Sequence, residues 1–519
     1  MSNQLWQRKP VEHFEIEMKE SKLKRVLGKW GLTSLGIGAI IGAGIFVMTG
    51  VGAKEYAGPA LALSFVVAGI GCTFAALCFA EFASFLPVEG SAYAYSYATM
   101  GELFAWIIVW DLILEYGMGA SAVAVGWSGY LAKFLHLFDI KFPIWLMNDV
   151  FTAKEMIAEA TSKGTLTDLA NKYSSLDFPS IFGIDLAANV PAFFIIWVLT
   201  AILVRGIKHA SSTNNLMVAI KVAVVLFIIV LGVQYINPEN WDPFIPKRTT
   251  FTDSLGGTHG AFGFLGIISG AAYIFFAYIG FDTVSTHAGE SKNPQKDVPF
   301  GIITSLIVTT VLYILVALVL TGMVNYKDID VTAPIAAAFG AHGLSFAVFI
   351  ISLAAIAGLT SVSIVMLLGQ SRVFYAISKD GLLPKKTFGE VHPVFRTPWK
   401  ANILIGVVVS LVSAFTPIEG ISKMVNIGTL LAFVMVSAAV WIMRKKEPDR
   451  PRPFRAPAIW FVAPMGILFN LGMMLTLEWQ NWLRLVVWLL IGFSIYFFYG
   501  KKHSVMAQRL KEKNGNVEN

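Results

Sequence analysis

Residues 31–52, GLTSLGIGAIIGAGIFVMTGVG, form an apolar stretch long enough to cross a bilayer as a helix, yet Gly36, Gly38, Gly42, Gly44, Gly50 and Gly52 fall inside it. Each glycine within a helix weakens it by roughly 0.5–1 kcal/mol relative to alanine. In hydrocarbon, a backbone group released from the helix is costly unless protein, water or a ligand satisfies it. The stretch therefore has two readings. One is close helix packing through small residues. The other, adopted here, is a helix interrupted at Gly42-Ala43-Gly44, with its freed N–H and C=O groups turned toward a polar ligand.

The rest of the chain places this stretch in a membrane. Mean hydropathy is +0.66, with 56% hydrophobic and 14% charged residues, which describes an all-α polytopic membrane protein rather than a soluble or nucleic-acid-binding one. Twelve spans are predicted, near 31–52, 59–86, 100–134, 188–206, 212–236, 261–287, 299–325, 344–376, 400–416, 421–443, 457–477 and 482–500. With the N-terminus inside, the cytoplasmic segments hold more than twice as many Lys and Arg as the external ones, as an even number of spans requires. Residues 1–29 then form a basic cytoplasmic segment, part of it a surface helix, and 501–519 a polar cytoplasmic tail. The external connection 135–187 contains one or two short amphipathic helices separated by Gly164, and 377–399 is a cytoplasmic loop. Cys72 and Cys78 share one apolar segment and make no disulfide framework or metal motif. All eight histidines lie in loops, span ends or tails, and no G-x-S-x-G elbow is present. The expectation is a non-enzyme without metal or cofactor.

Several motifs appear in order: GIGAIIGAGIFVMTG, CFAEFASFLPVEGSAYAYSY, GELFAWIIVWDLILEY, FFAYIGFDTVSTHAGESKNPQKDVPFGI, and Asp380-Gly381-Leu382-Leu383-Pro384 followed by Val391-His392-Pro393 and Arg396-Thr397-Pro398. Over roughly residues 25–460 the chain resembles the cationic amino acid transporter family, within the amino-acid, polyamine and organocation superfamily. The resemblance implies a five-plus-five inverted repeat, residues 30–236 against 260–443, with the first and sixth spans broken at mid-membrane. Two further helices follow over 457–500. The 135–187 loop is longer than the resemblance leads one to expect.

An amino acid at the bilayer midplane needs N–H donors for its carboxylate and carbonyls for its ammonium, which opposed half-helix ends supply. Gly42, Ala43 and Gly44 offer the donors, and Ile40 and Ile41 the carbonyls. In span six the resemblance adds amine-binding carbonyls and an aromatic lid within Phe276-Ala277-Tyr278-Ile279-Gly280, naming Phe276, Ala277 and Ile279. Lys221, in span five, either snorkels to the cytoplasmic interface or stands as a buried amine facing helices one and eight, as the resemblance implies. In the second case its protonation depends on the transport state. The acidic residues within spans are Glu81, Asp111, Glu115 and Asp282. Asp111 and Glu115 are four apart and share a helical face. Glu115 is expected to meet either the substrate side chain or Lys221, whereas Glu81, Asp111 and Asp282 are gating or cavity candidates. Thr360, Ser361 and Ser363 offer small hydroxyls from span eight.

These residues lead to an expectation of L-amino acid import with protons by alternating access, at the plasma membrane, with both termini cytoplasmic. The partners are an L-amino acid, protons and the lipid bilayer, with no nucleic acid. An exchanger, a carrier for neutral branched-chain side chains and a transporter-like amino acid sensor are the alternatives.

Overall fold

The computed structural model describes residues 4–10, 14, 27–86, 91–206, 210–252 and 258–508. Most of residues 1–29, where a surface helix is expected, and the tail beyond residue 508 lie outside them, and the described residues 4–10 form no helix. Among the described residues, nine helices are long and apolar enough to cross a membrane, and two shorter apolar helices accompany them. The protein is a polytopic all-α membrane protein.

Helix α1 (Lys29–Ile40) stops where Ile41 turns extended, at ψ 97°. The chain continues through a π-helical turn (Gly44–Met48), a short α-helical step (Thr49–Val51) and a second π-helical segment (Gly52–Ala57). Such wide turns often mark functional sites, because they unseat the regular hydrogen-bond ladder. Then come α2 (Leu61–Phe85), a short α3 (Ser91–Thr99) and the long α4 (Glu102–His136). After the 135–187 connection, α7 (Val190–Arg205) starts on an Asn189 side-chain cap and ends at Gly206, whose φ is +86°. It is followed by α8 (Ala210–Gly232).

Helix α9 (Gly263–Ile274) tightens into a 3₁₀ turn (Phe275–Tyr278), opens at Ile279 and Gly280, and resumes as one turn (Thr283–Thr286). Beyond it lie α10 (Pro294–Met323), α11 (Pro334–Ala341), α12 (Ser345–Lys379), α13 (Trp399–Phe415), α14 (Ile418–Lys446), α15 (Ile459–Thr476) and α16 (Trp479–Ile495). The interior is built where α4 packs on α12 and α14, and where α10 packs on α1 and α2.

Two boundaries differ from those the sequence predicts, and three elements are new. Helix α10 starts at Pro294, with Pro299 inside it, rather than at residue 299. Helix α14 starts at Ile418 rather than at residue 421, so Glu419 belongs to the helix rather than to an external loop. There Lys423 is 2% exposed, held by Glu419 at 2.7 Å and Glu478 at 2.9 Å. Helix α3 and two hairpins, β1 (Ser180–Ile181) with β2 (Ile184–Asp185) and β3 (Thr249–Thr252) with β4 (Thr258–Ala261), are not foreseen.

One ion pair, with its carboxylate fully buried and its guanidinium half-buried, joins distant parts of the chain. Arg444 of α14 grips Glu81 of α2 through Nε (2.6 Å) and Nη2 (2.8 Å), and the backbone N–H of Ala456 donates to the same carboxylate at 2.9 Å. Breaking a buried pair by removing one partner costs about 3–5 kcal/mol. Glu81→Ala is therefore expected to lower the detergent-solubilised melting temperature markedly, and an unchanged melting curve would show that the pair is not structural.

The 135–187 connection folds on itself. Helix α5 (Val150–Lys163) ends at Gly164, in the left-handed conformation at φ +68°, and α6 (Leu166–Lys172) follows. Asp330, from the loop before α11, accepts from Lys133 at 3.1 Å and from Lys172 at 3.0 Å, while the Thr332 N–H donates to it at 3.0 Å. Burial pushes the Asp330 carboxyl up, but the two lysines and the Thr332 hydroxyl outweigh it and hold it well below the usual carboxylate range. A depressed carboxylate contributes its stabilisation above the ordinary aspartate value, about 3.9, and loses it as pH falls below that value. Docking of α5 and α6 should thus persist across neutral and mildly acidic pH. Asp330→Asn should undock them, read as faster protease cleavage at 161–164 at pH 7. Equal cleavage of the two proteins would remove Asp330 as the anchor.

Candidate functional site

The two interruptions press against each other. A Cβ added to Gly44 would lie 2.3 Å from Ala277 Cα, and one on Gly280 would lie 2.9 Å from the Ala39 carbonyl carbon. Gly280, at φ +117°, holds a conformation that favours glycine. Gly42 faces Val362 of α12, where an added Cβ would press to within 3.2 Å of a methyl group. Ile40, Ile41, Gly42, Ala43 and Gly44 are thus brought together with Phe276, Ala277 and Ile279, all of them buried. The break in the first span falls at Ile41 and Gly42, slightly before the centre of the Gly42-Ala43-Gly44 cluster, because Ala43 already has helical dihedrals.

Side chains from other helices take the freed carbonyls. Lys221 Nζ of α8 donates to the Gly38 carbonyl at 2.9 Å. The Tyr313 hydroxyl of α10 lies 2.7 Å from the Ile40 carbonyl and 2.9 Å from that of Ala277, spanning both interruptions. Tyr130 of α4 donates to the Phe46 carbonyl at 2.6 Å. Asn426 Nδ2 of α14 reaches the carbonyls of Ala272 (2.9 Å) and Tyr273 (2.6 Å) at the end of α9. The carbonyl end of α1 carries the negative pole of its dipole, so the Lys221 ammonium sits where a cation is stabilised. Its alkyl chain lies along Gly358 of α12, where an added Cβ would come within 3.2 Å of Cε. Lys221 is 1% exposed and so does not snorkel. It runs between α1 and α12.

Glu115 does not meet Lys221, contrary to one of the two partners expected for it. Its neighbours are Asp282, Thr429 and Asp111, on the side of α4 that packs against α14. The four-residue spacing does place Asp111 and Glu115 together, but Lys221 approaches α1 from α8 instead. Both Asp111 carboxylate oxygens are buried without a hydrogen-bond partner among the described residues, beside Gly428 of α14. Asp282 is buried at the start of the resumed sixth span. Glu81 is committed to Arg444, away from the two breaks. Ser361 is half-buried and adjoins Val362, and Thr360 accepts from Trp127 at 3.0 Å.

Tyr313, Tyr130 and Asn426 are the site-forming residues that sequence reasoning misses. A hydroxyl or amide within an apolar span usually finds a partner when buried, so each was a candidate for some internal bond. Nothing local tells which carbonyl each one serves.

The sequence profile described as amino acid permease matches residues 27–503. The chain belongs to the amino acid permease family. This permease is 45% identical to the branched-chain amino acid permease BcaP of Bacillus subtilis (strain 168), over 94% of this chain and 96% of that one. It is 41% identical to the methylthioribose transporter of the same organism, over 97% and 99% of the two chains. It is 35% identical to the vacuolar cationic amino acid transporter 4 of Arabidopsis thaliana, over 86% of this chain and 68% of that one. Its relatives are thus named permeases and transporters, and amino acid transport is the activity most of those names carry.

Proposed function

We propose that this permease imports an L-amino acid together with a proton by alternating access. The supporting observation is the Lys221 ammonium seated on the Gly38 carbonyl at the interruption of the first span, with no carboxylate beside it among the described residues. A protonated lysine there ties α1 to α8 and α12 through a charge–dipole contact. A neutral one keeps only a weaker hydrogen bond. Proton release therefore loosens the half-helix that also carries the substrate contacts, which couples proton movement to conformational change.

In this reading the substrate carboxylate accepts from the N–H groups of Gly42, Ala43 and Gly44. Its ammonium donates to carbonyls among Ile40, Ile41, Phe276, Ala277 and Ile279. The single Tyr313 proton is shared between two of those carbonyls, leaving them capacity to accept from an ammonium with three donors. The twelve spans, the five-plus-five repeat, the cytoplasmic termini and the plasma-membrane location complete the proposal, supported by the uneven distribution of Lys and Arg along the sequence.

The side-chain preference proposed is neutral and aliphatic, as in the branched-chain relative. Supporting it, Val362 stands over Gly42, and Glu115 faces Asp282, Asp111 and Thr429. A substrate with a cationic side chain would instead require Glu115 as its counter-charge, because an unpaired cation is not cheaply desolvated. Competition of uptake by all twenty amino acids and by methylthioribose, in wild type and Glu115→Gln, separates the two. The neutral reading expects leucine, isoleucine and valine to compete best and to keep their rank in the variant. Strong competition by arginine and lysine that collapses in Glu115→Gln would replace it with a cationic substrate, and competition by methylthioribose alone would remove amino acids from the assignment.

A further inference from the structure

The β1–β2 hairpin does not contribute to the small core of the connection that carries it. That core gathers Ile144, Ala153, Ala160 and Leu169, with Met156, Phe178 and others packed around it. The hairpin's own apolar residues point outward: Phe182 is 100% exposed, Ile184 67% and Ile181 56%. Its turn is the two-residue kind in which both residues have positive φ, 53° at Phe182 and 77° at Gly183. Such turns favour asparagine or glycine at the first position, and a bulky residue there is an outlier. A phenylalanine held against both its backbone preference and its exposure to water calls for an apolar partner.

The hairpin's position identifies that partner. Its base is fixed by the bond from the Leu186 N–H to the Pro179 carbonyl, and the chain then enters α7 at Val190. At that entry the Asn189 N–H donates to the Ala414 carbonyl at the end of α13. The hairpin thus stands immediately above the ends of two membrane helices. The outward residues of those ends, Phe194 and Phe415, are themselves exposed in the protein and face lipid in the membrane. Leu186 continues this apolar surface up to the hairpin. The one acidic side chain of the hairpin, Asp185, is turned to Lys154 of α5 at 2.7 Å, so no negative charge stands at the tip.

We propose that the 180–185 hairpin is a lipid anchor, laying Ile181, Phe182 and Ile184 into the interface of the adjacent leaflet and tethering the 135–187 connection to the membrane surface. The chemistry it fits is the boundary between headgroup and acyl chain, where apolar and aromatic side chains gather. The anchor is independent of what the protein transports, because it rests on the placement of the hairpin relative to α7 and α13.

The test places a nitroxide on a cysteine at position 182 in the full chain, with Cys72 and Cys78 replaced by alanine, reconstituted in phosphatidylcholine–phosphatidylglycerol liposomes. Power saturation compares collisions with oxygen, which concentrates in lipid, and with a water-soluble nickel chelate. Ile184→Cys serves as a second reporter on the hairpin, and the exposed Ser162→Cys on α5 as the aqueous reference. The expected result is severalfold higher oxygen than nickel accessibility at 182 and 184, with the opposite order at 162. Nickel accessibility at 182 and 184 equal to that at 162 would overturn the proposal. Low accessibility to both reagents, with dipolar broadening that disappears on dilution by unlabelled protein, would also overturn it and assign the hairpin to a second copy of the chain.

Discussion

Lys221→Met abolishes uphill accumulation driven by a pH gradient while leaving exchange of substrate across the membrane measurable. Methionine keeps the bulk against Gly358 and removes the only cation that touches the carbonyl end of α1 among the described residues. An inward gradient of one pH unit stores about 1.4 kcal/mol per proton, enough for about tenfold accumulation at one proton per substrate. Wild type in proteoliposomes should approach that ratio, and the variant should settle at no accumulation. Counterflow into liposomes preloaded with substrate should persist, because the proposed substrate donors at Gly42–Gly44 and carbonyls of the sixth span remain. Retained accumulation in Lys221→Met would place the coupled proton elsewhere, with the buried carboxylates Asp111, Glu115 and Asp282 the next groups to test.

Gly44→Val, and even Gly44→Ala, should weaken substrate binding more than any other single glycine substitution in the first span. The added Cβ meets Ala277 Cα at 2.3 Å, a backbone contact that no side-chain rotation relieves. Overpacking of a close contact costs about 1–3 kcal/mol, or about 5- to 150-fold in affinity if it falls wholly on the bound state. Valine should exceed alanine. Gly472→Ala, where nothing lies within 4 Å of the added Cβ, is the matched control and should leave affinity unchanged. Isothermal titration of purified protein with the best competing amino acid reads the effect, with membrane expression measured alongside. Wild-type affinity in Gly44→Val would detach the two breaks from the substrate.

The glycine-rich first span shows how far the sequence could be read. An interruption was legible, since glycines recurring through a mid-membrane stretch weaken any continuous helix. Its position shifted by about a residue because two of those glycines serve a different need. Neither Gly42 nor Gly44 has a positive φ, and both are small to admit Val362 and Ala277. Close packing and an interruption of the helix therefore coexist in the stretch. Gly280, whose positive φ does depend on glycine, marks the sixth-span break more directly. The periodicity of α5 and α6 and the stop at Gly164 were also plain, because they are local.

The bridging tyrosine was not legible. Tyr313 lies 273 residues from Ile40, and an apolar run such as YILVALVL gives no sign of the carbonyls it serves. For a related reason, Lys423 was not singled out. Its partner Glu419 is one turn away on the same helix, but Glu478 comes within reach only when α14 and α16 pack side by side. Turn chemistry misled at the β1–β2 hairpin, where Phe-Gly stands in a turn usually built from Asn-Gly.

The most direct test of the central claim follows substrate and proton together in the same vesicles. Purified protein is reconstituted into liposomes that enclose a pH-sensitive dye, with equal pH and no sodium on either side, and L-leucine is added outside. Coupled import predicts acidification of the lumen in step with leucine entry, absent from Lys221→Met and abolished as a net gradient by a protonophore. Leucine entry with no change in lumen pH, or entry driven equally well by an imposed sodium gradient, would contradict proton-coupled import.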